Sequence, residues 1–228
     1  MALAFAGAVA LVGGFPVLSG VDLAVEGGEV VVLRGTNGAG KTSLLKAAAG
    51  LLSISSGEAV SLGVDLRSGA ADLRKRVGML GHVDALYDEL TVLENARFAL
   101  RAAKLRADSG TIQPVLERFG LTGRLVRSRA RDLSAGQRRR AALAILAARN
   151  AELLLLDEPY SSLDELGRGI LDQVVAEASA RGAAVLLTSH EPEVWPAGAH
   201  RVVRMAGGRV LGEERSIGRV ALEAAGVA

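Results

Sequence analysis

One glycine-rich stretch has the residue types and the spacing of a phosphate-binding loop. It reads Gly35-Thr-Asn-Gly-Ala-Gly-Lys41-Thr42 and matches the pattern G-x-x-x-x-G-K-[ST]. Glycine takes the positive φ angles that let several backbone N–H groups point at one anion. The Lys41 ammonium can reach the β- and γ-phosphates of a nucleotide, and the Thr42 hydroxyl can bind Mg²⁺. The predicted nucleotide-binding residues are Gly35, Thr36, Asn37, Gly38, Ala39, Gly40, Lys41, Thr42 and Ser43.

The residues on either side of this loop support that interpretation. Residues 29–33 (Glu-Val-Val-Val-Leu) predict a buried strand, and residues 43–49 have the composition of a helix. The loop would then lie at a helix N-terminus, where the helix dipole also favours an anion. A chance match in a glycine-rich chain would not be expected to have this context.

Two adjacent carboxylates follow a second apolar run. Four leucines precede Asp157 and Glu158, and Pro159 follows them. The run predicts a buried parallel strand, which would place Asp157 at its carboxyl end to hold Mg²⁺ directly or through water. A carboxylate beyond the metal ligand can accept a proton from an attacking water or orient it, so Glu158 is predicted to be catalytic together with Lys41. The alternative, an acidic surface turn, fits poorly with the four leucines and the proline.

A histidine follows the next predicted buried strand, at residues 183–187. From the end of that strand the His190 imidazole could reach the γ-phosphate and act in catalysis. A histidine at a strand end is more often structural, so its position alone leaves both roles open.

Composition limits the class of protein. The 228 residues suffice for one α/β domain with a subdomain or for two small domains, and half of them are hydrophobic. The 27 basic and 25 acidic residues are close to balance, so no nucleic-acid partner is expected. The chain has no cysteine, which excludes disulfides and thiolate metal sites.

The uncharged segment 1–21 could be mistaken for a signal peptide or a membrane helix. No basic residue precedes its apolar run, and Gly13, Gly14 and Pro16 interrupt it. We therefore expect short strands joined by a turn, and no transmembrane segment in the chain.

The remaining pattern predicts an α/β fold with an inserted helical part. We expect one domain over residues 1–228, with a core at about 1–83 and 150–228 and a helical subdomain at about 84–149. Strands are predicted at 3–12, 17–25, 29–33, 58–62, 77–80, 153–156 and 183–187, with a hairpin at 201–205 and 209–211. Helices are predicted at 93–104, 111–119 and 165–181, and from the candidate N-cap Ser134 to about Arg149.

Three further motifs carry a family resemblance. Leu133-Ser-Ala-Gly-Gln137 resembles the signature motif of ABC-type ATPases, and it lies between the P-loop and Asp157 as in that family. Ser161-Ser-Leu-Asp164 resembles the family's D-loop, and His190 matches its switch histidine. The resemblance covers essentially the whole chain. It implies ATP hydrolysis with Mg²⁺ on a P-loop NTPase fold, which has a RecA-like core with a mostly parallel sheet, N-terminal antiparallel strands and an inserted helical subdomain.

The resemblance also implies a head-to-tail homodimer, or a pair of ATPase subunits, that encloses two ATP molecules. Each ATP would contact the P-loop of one subunit and the signature motif of the other. The helix that is predicted to start at the signature motif agrees with such a dimer, because a helix N-terminus there forms a second anion-binding site. Such subunits usually drive integral-membrane permeases from the cytoplasmic face of the cell membrane. The residues implied to act in trans are Ser134, Ala135, Gly136, Gln137 and Asp164.

Two positions depart from the family pattern. His82 occupies the place of a glutamine that contacts Mg²⁺ and the attacking water. Mg²⁺ prefers oxygen ligands, so we expect His82 to act through water. Val12 occupies the place of the aromatic residue that stacks on adenine, and Phe15 is the nearest aromatic. Adenine packing is therefore expected to be weak or to come from Phe15.

Shorter stretches narrow the resemblance. Leu80-Gly-His82, Glu89-Leu-Thr91 and Glu94-Asn-Ala-Arg-Phe98 are similar to the ATP-binding subunit of the haem-exporter-type ABC complex of cytochrome c maturation, as is Leu133-Ser-Ala-Gly-Gln-Arg-Arg139. This implies ATP-driven release or transfer of haem across the cytoplasmic membrane. The membrane subunits would meet the haem, and no direct haem contact by this chain is expected. The ATPase of another ABC exporter and a soluble ABC ATPase of iron–sulfur cluster assembly remain alternatives.

Overall fold

Two β-sheets form the framework of the protein in the computed structural model, which describes residues 1–161, 163–190 and 198–215. The first sheet is antiparallel, with strand order β2-β1-β4-β5. Its first two strands are joined by a tight turn at Gly13 and Gly14, which both have positive φ. The strands are β1 (Leu3–Val12), β2 (Phe15–Val25), β4 (Ser56–Ser61) and β5 (Val64–Asp65).

The second sheet is mostly parallel and has strand order β10-β9-β3-β8-β7-β6. All neighbours pair in parallel except β9 and β10, which form an antiparallel hairpin at one edge. The strands are β3 (Val30–Arg34), β6 (Val77–Leu80), β7 (Leu153–Leu156), β8 (Ala184–Ser189), β9 (Arg201–Ala206) and β10 (Arg209–Arg215).

Most of the helical residues between β6 and β7 belong to three helices that each begin at a side-chain N-cap, at Thr91, Asp108 and Ser134. Thr91 and Ser134 each form a capping box. The hydroxyl accepts from the backbone N–H of the third helical residue, and the side chain of that residue accepts from the backbone N–H of the cap.

The helices of the whole described chain, in order, are α1 (Lys41–Ala48), α2 (Leu73–Arg76), α3 (Val92–Ala102), α4 (Ser109–Arg118), α5 (Arg124–Arg127), α6 (Ala135–Ala148) and α7 (Glu165–Ala180), with a 3₁₀ turn at Ala130–Asp132.

The parallel sheet is covered on both faces. Because side chains alternate along a strand, Val31 and Leu33 of β3 pack with α1 and the antiparallel sheet. Val30 and Val32 of the same strand pack with α6, α7 and the helices before them. Because these strands are buried on both faces, the sequences of β3, β7 and β8 are nearly continuous apolar runs.

The structure confirms the predicted fold class and extends several elements. β2 begins at Phe15 instead of residue 17, because Phe15 pairs with Val12 directly across the turn. β4 begins at Ser56 instead of residue 58, because Ser56 pairs with Val9. Residues 64–76, where no element was predicted, contain β5 and α2. The uncharged N-terminus forms β1 and β2, and no helix among the described residues is long and apolar enough to span a bilayer.

The strand order brings the predicted site residues together. β3, β8, β7 and β6 are consecutive neighbours in the parallel sheet. Their carboxyl ends lead into the P-loop, His190, the Asp157–Glu158 pair and His82, respectively. In open parallel sheets, ligands bind beyond the carboxyl ends of the strands. The fold therefore directs all four segments to one edge.

Candidate active site

A cavity of about 790 Å³ lies at this edge. It contains nearly all of the predicted loop, both carboxylates and both predicted site histidines. Phe15 and Gly35 are not part of its lining, although Pro16 and Thr36 are. The lining comprises Pro16, Val17, residues 36–43, His82, Asp157, Glu158, Ser161, His190, Gly207 and Gly208.

The glycine-rich loop leads directly into α1. Gly40 precedes the helix with φ 99°, in the left-handed region that favours glycine. A Cβ at Gly40 would lie 2.9 Å from the carbonyl oxygen of Val17 and 3.0 Å from Cα of Gly208. No side chain caps α1, so its first N–H groups are left for another acceptor. This is the arrangement of an anion-binding helix start.

Lys41 and Thr42 hold defined positions at the start of α1. The Lys41 ammonium is buried and donates to the carbonyl oxygens of Gly35 at 2.7 Å and Thr36 at 3.3 Å. The Thr42 hydroxyl donates to Oδ2 of Asp157 at 2.8 Å. This hydrogen bond places the start of α1 next to the carboxyl end of β7.

Asp157 is buried and fully supported by hydrogen bonds. It is 3% exposed, and its Oδ1 accepts from the Thr188 hydroxyl at 2.8 Å while Oδ2 accepts from Thr42. A buried carboxylate without such partners would cost several kcal/mol. Two hydroxyls on two different elements therefore orient both oxygens of this carboxylate.

Glu158 has an unusual backbone and a histidine partner. Its φ is 47°, which costs an ordinary residue roughly 1–2 kcal/mol. Its N–H donates to the Thr188 hydroxyl at 2.8 Å. Its Oε2 lies 2.8 Å from Nδ1 of His190 and accepts from the His190 N–H at 3.3 Å. The carboxylate of Glu158 and the His190 imidazole thus form one unit that lines the cavity.

Thr188 and Arg139 contact the site, and sequence reasoning assigned a role to neither. Thr188 is fully buried and links the side chain of Asp157 to the backbone of Glu158. Arg139 is 3% exposed and donates to the carbonyl oxygens of both residues. A polar residue at the end of the apolar run 183–187 was the available signal for Thr188. Arg139 lies among three consecutive arginines, and nothing local distinguishes it.

Tyr160 ties the turn after Glu158 to α7. Its hydroxyl donates to Oδ1 of Asp172 at 2.6 Å. Burial and this hydrogen bond raise the pKa of Tyr160 well above its usual value, so the phenol stays protonated. The contact anchors the segment that leads from the carboxylates to Asp164.

His82 and Phe15 are exposed. His82 lines the cavity on the side of β6, with no hydrogen bond to another described residue. Phe15 is 77% exposed and Val12 is 54% exposed, both at the tip of the β1–β2 hairpin. The hairpin therefore presents apolar side chains beside the mouth of the cavity, next to Pro16 and Val17.

The residues expected to act in trans lie outside this cavity. Ser134 and Gln137 form the capping box of α6, and Ala135 and Gly136 are the first residues of that helix. Asp164 caps α7, since its Oδ1 accepts from the Gly167 N–H at 2.8 Å. Ser162, inside the motif that resembles the D-loop, is outside the described residues. The N-terminus of α6 is thus a second helix start away from the cavity of its own chain.

Comparison with protein-family models identifies one match. The model described as ABC transporter matches residues 18–161. The match includes the P-loop, the signature motif and both carboxylates.

Known proteins and solved structures resemble the chain over most of its length. The "Cytochrome c biogenesis ATP-binding export protein CcmA" of Albidiferax ferrireducens is 38% identical over 179 residues, which are 78% of this chain and 85% of the relative. The structure of an ATP-binding subunit of an ABC transporter has a TM-score of 0.87 at 27% identity and covers 95% of this chain and 90% of its own. A dimeric ATP-binding cassette in a post-hydrolysis state, bound to ADP and Pi, has a TM-score of 0.82 at 25% identity and covers 95% and 99%.

Proposed function

The chain belongs to the ABC transporter family of ATPases, and on this premise we propose that it is the ATP-hydrolysing subunit of the haem exporter of cytochrome c biogenesis. The observation that carries the proposal is the cavity that joins the P-loop to Asp157, Glu158 and His190. The name of the 38% identical relative supports cytochrome c biogenesis as the process in which this ATPase acts. Hydrolysis would energise the release or transfer of haem across the membrane.

ATP binds at the P-loop through its phosphates. The uncapped N–H groups at the start of α1 donate hydrogen bonds to the phosphate oxygens. The Lys41 ammonium moves from the carbonyls of Gly35 and Thr36 to the β- and γ-phosphates. Phe15 is exposed at the hairpin tip and supplies an apolar surface beside the adenine. The binding residues are Gly35, Thr36, Asn37, Gly38, Ala39, Gly40, Lys41, Thr42 and Ser43, with His82 in the same cavity.

The donors beside the P-loop fit a magnesium ion. The Thr42 hydroxyl and the Asp157 carboxylate are oxygen ligands held 2.8 Å apart, which is the chemistry that Mg²⁺ prefers. Bound there, Mg²⁺ would neutralise charge on the β- and γ-phosphates. His82 offers nitrogen, so we assign it a contact through water.

Glu158 acts as the general base. Its carboxylate, oriented by His190, accepts a proton as the water oxygen attacks the γ-phosphorus. The bond from that phosphorus to the β–γ bridging oxygen breaks, and ADP and phosphate leave. His190 and Lys41 lie in the same cavity and stabilise charge on the γ-phosphate.

A second copy of the subunit completes each site. The N-terminus of α6 has a polar cap and lies away from its own P-loop cavity, which suits a contact with the γ-phosphate held by a partner. The dimeric cassette with ADP and Pi is a relative that assembles in pairs. The residues that act in trans are Ser134, Ala135, Gly136, Gln137 and Asp164.

The dimer works at the cytoplasmic face of the cell membrane, bound to integral-membrane permease subunits. We place the helical subdomain at about residues 84–149, with the core at about 1–83 and 150–228. An exposed edge-to-face pair of Tyr87 and Phe98, with ring centroids 4.8 Å apart, lies on this subdomain. Exposed aromatic side chains suit contact with a membrane partner. The permease meets the haem, and this chain does not contact it.

Complementation in the source organism tests this proposal. Deletion of the gene should abolish haem-stained c-type cytochromes, and the unmodified gene should restore them. Glu158→Gln should not restore them, because the subunit would bind ATP without turning it over. Glu165→Gln, an exposed carboxylate at the start of α7, is the matched control and should restore them fully. Normal c-type cytochromes in the deletion strain would refute the assignment to cytochrome c biogenesis.

A further inference from the structure

Arg139 joins three segments that are distant in the sequence. It projects from the second turn of α6 and is almost fully buried. Its Nη1 donates to the carbonyl oxygen of Gly81 and to Oδ1 of Asp84, both at 3.0 Å. Its Nη2 donates to the carbonyl oxygens of Asp157 at 3.1 Å and Glu158 at 2.9 Å. One guanidinium thus connects α6, the loop that contains His82, and the turn after β7.

The contacts to residues 157 and 158 restrain two successive peptide groups. Fixing two consecutive carbonyls fixes the backbone of the residue between them, and that residue is Glu158 with φ 47°. A non-glycine residue keeps this conformation only where its surroundings hold it. Ser161 also donates to the Glu158 carbonyl, from its N–H at 3.2 Å and its hydroxyl at 2.9 Å.

Arginine is the residue type that this arrangement requires. Its planar fork presents several N–H donors in fixed directions, whereas lysine offers a single charged centre on a flexible stem. Four acceptors on two segments, residues 81–84 and residues 157–158, require a side chain with several donors in fixed directions. The neighbouring arginine, Arg138, binds Asp88 and the carbonyl of Ala130 instead. Of these two arginines, only Arg139 therefore contacts the turn that contains Glu158.

We propose that Arg139 is a positioning residue, which holds the Glu158 backbone so that its carboxylate faces the attacking water. This inference rests on the proposed ATPase mechanism and adds a residue to it. Because α6 begins with the signature motif and Gly81 precedes His82, the restraint also makes the placement of Glu158 depend on both segments. A shift of α6 or of the 81–84 loop changes the position of the base.

Steady-state kinetics of purified Arg139→Gln and Arg139→Lys test the proposal. We expect kcat for ATP hydrolysis to fall about 10- to 100-fold, because small displacements of a reacting group have effects of that order. KM for ATP and the affinity for a fluorescent ATP analogue should stay within about threefold, because no phosphate contact is removed. Lysine should recover only part of the loss, since it cannot reach all four acceptors. Arg140→Gln is the matched control on the same helix and should keep the kcat of the unmodified protein.

A double-mutant cycle separates positioning from a general structural effect. If Arg139 acts through Glu158, adding Arg139→Gln to Glu158→Gln should lower the residual kcat no further. A full additional loss in the double variant, or unchanged kcat in both single variants, would overturn the proposal. Should Arg139→Gln not fold, Asp84→Asn removes its charged partner and should give an intermediate loss of kcat at constant KM; unchanged kcat there would also overturn it. Absence of ATP hydrolysis by the unmodified protein would refute the proposed function itself.

Discussion

Glu158 is the residue whose conformation most directly suggests a function. The other three non-glycine residues with positive φ among those described are Leu62, Lys104 and Asn150, which follow β4, α3 and α6 in ordinary turns. Glu158 instead follows a fully buried strand, and its carboxylate enters the cavity. The Glu158 N–H donates to the Thr188 hydroxyl, its carbonyl oxygen accepts from Arg139, and its carboxylate pairs with His190. Backbone strain that is held by so many contacts is typical of functional sites.

At this scale we predict that Glu158→Gln separates ATP binding from hydrolysis. The amide keeps the shape of the side chain but cannot accept the proton, so kcat should fall roughly 10²- to 10⁴-fold. ATP affinity should change little, because the phosphates bind to the P-loop. Phosphate release and binding of a fluorescent ATP analogue measure the two quantities. Hydrolysis at the rate of the unmodified protein would exclude Glu158 as the base.

The P-loop and α1 form the element on which the site is built. The loop passes so close to β2 and to the β9–β10 turn that Gly40 has no room for a Cβ. Gly38 in the same loop also has positive φ, 79°, but a Cβ there would meet no atom within 4 Å. The two glycines therefore differ in steric surroundings and not in the sign of φ.

We predict that alanine is tolerated less well at position 40 than at position 38. Both substitutions place a Cβ on a left-handed backbone, which should lower the free energy of unfolding by about 1–2 kcal/mol. Gly40→Ala adds the close contacts with Val17 and Gly208, which should cost a further 1–3 kcal/mol or so. Urea denaturation of both variants measures the difference. Equal destabilisation would show that the loop can move away from β2 without cost.

The molecule has two helix starts that we propose contact ATP, one in its own cavity and one in the cavity of a second copy. The P-loop cavity lies at the carboxyl edge of the parallel sheet, and the start of α6 lies outside it. Residues 84–149, which carry that second helix start, contain 13 basic and 7 acidic residues, whereas the remainder of the chain is net acidic. We propose that this excess of basic residues and the polar cap of α6 favour contact with the ATP of another copy.

We predict an ATP-dependent dimer of Glu158→Gln that a second substitution at the α6 cap abolishes. Without turnover the enclosed ATP should persist, so size-exclusion chromatography with ATP should show a dimer. Ser134→Glu should prevent it, because a carboxylate at the start of α6 would repel the γ-phosphate of the partner. The control is Thr91→Glu, which alters the equivalent capping box of α3 and should leave the dimer intact. A dimer that survives Ser134→Glu would contradict the head-to-tail arrangement.

The sequence by itself determined those features of the protein that depend on residues close together in the chain. Glycine spacing specified the P-loop, and an apolar run before Asp157 and Glu158 predicted the strand that carries them, because these preferences arise within a few residues. The tertiary structure decided which residues distant in the chain contact each other, because those contacts depend on strand order and register. Only the adjacency of β7 and β8 brings Thr188 to Asp157, and only the packing of α6 against the sheet brings Arg139 to Gly81 and Glu158. These hydrogen bonds span 19 to 58 residues, so no local pattern records them.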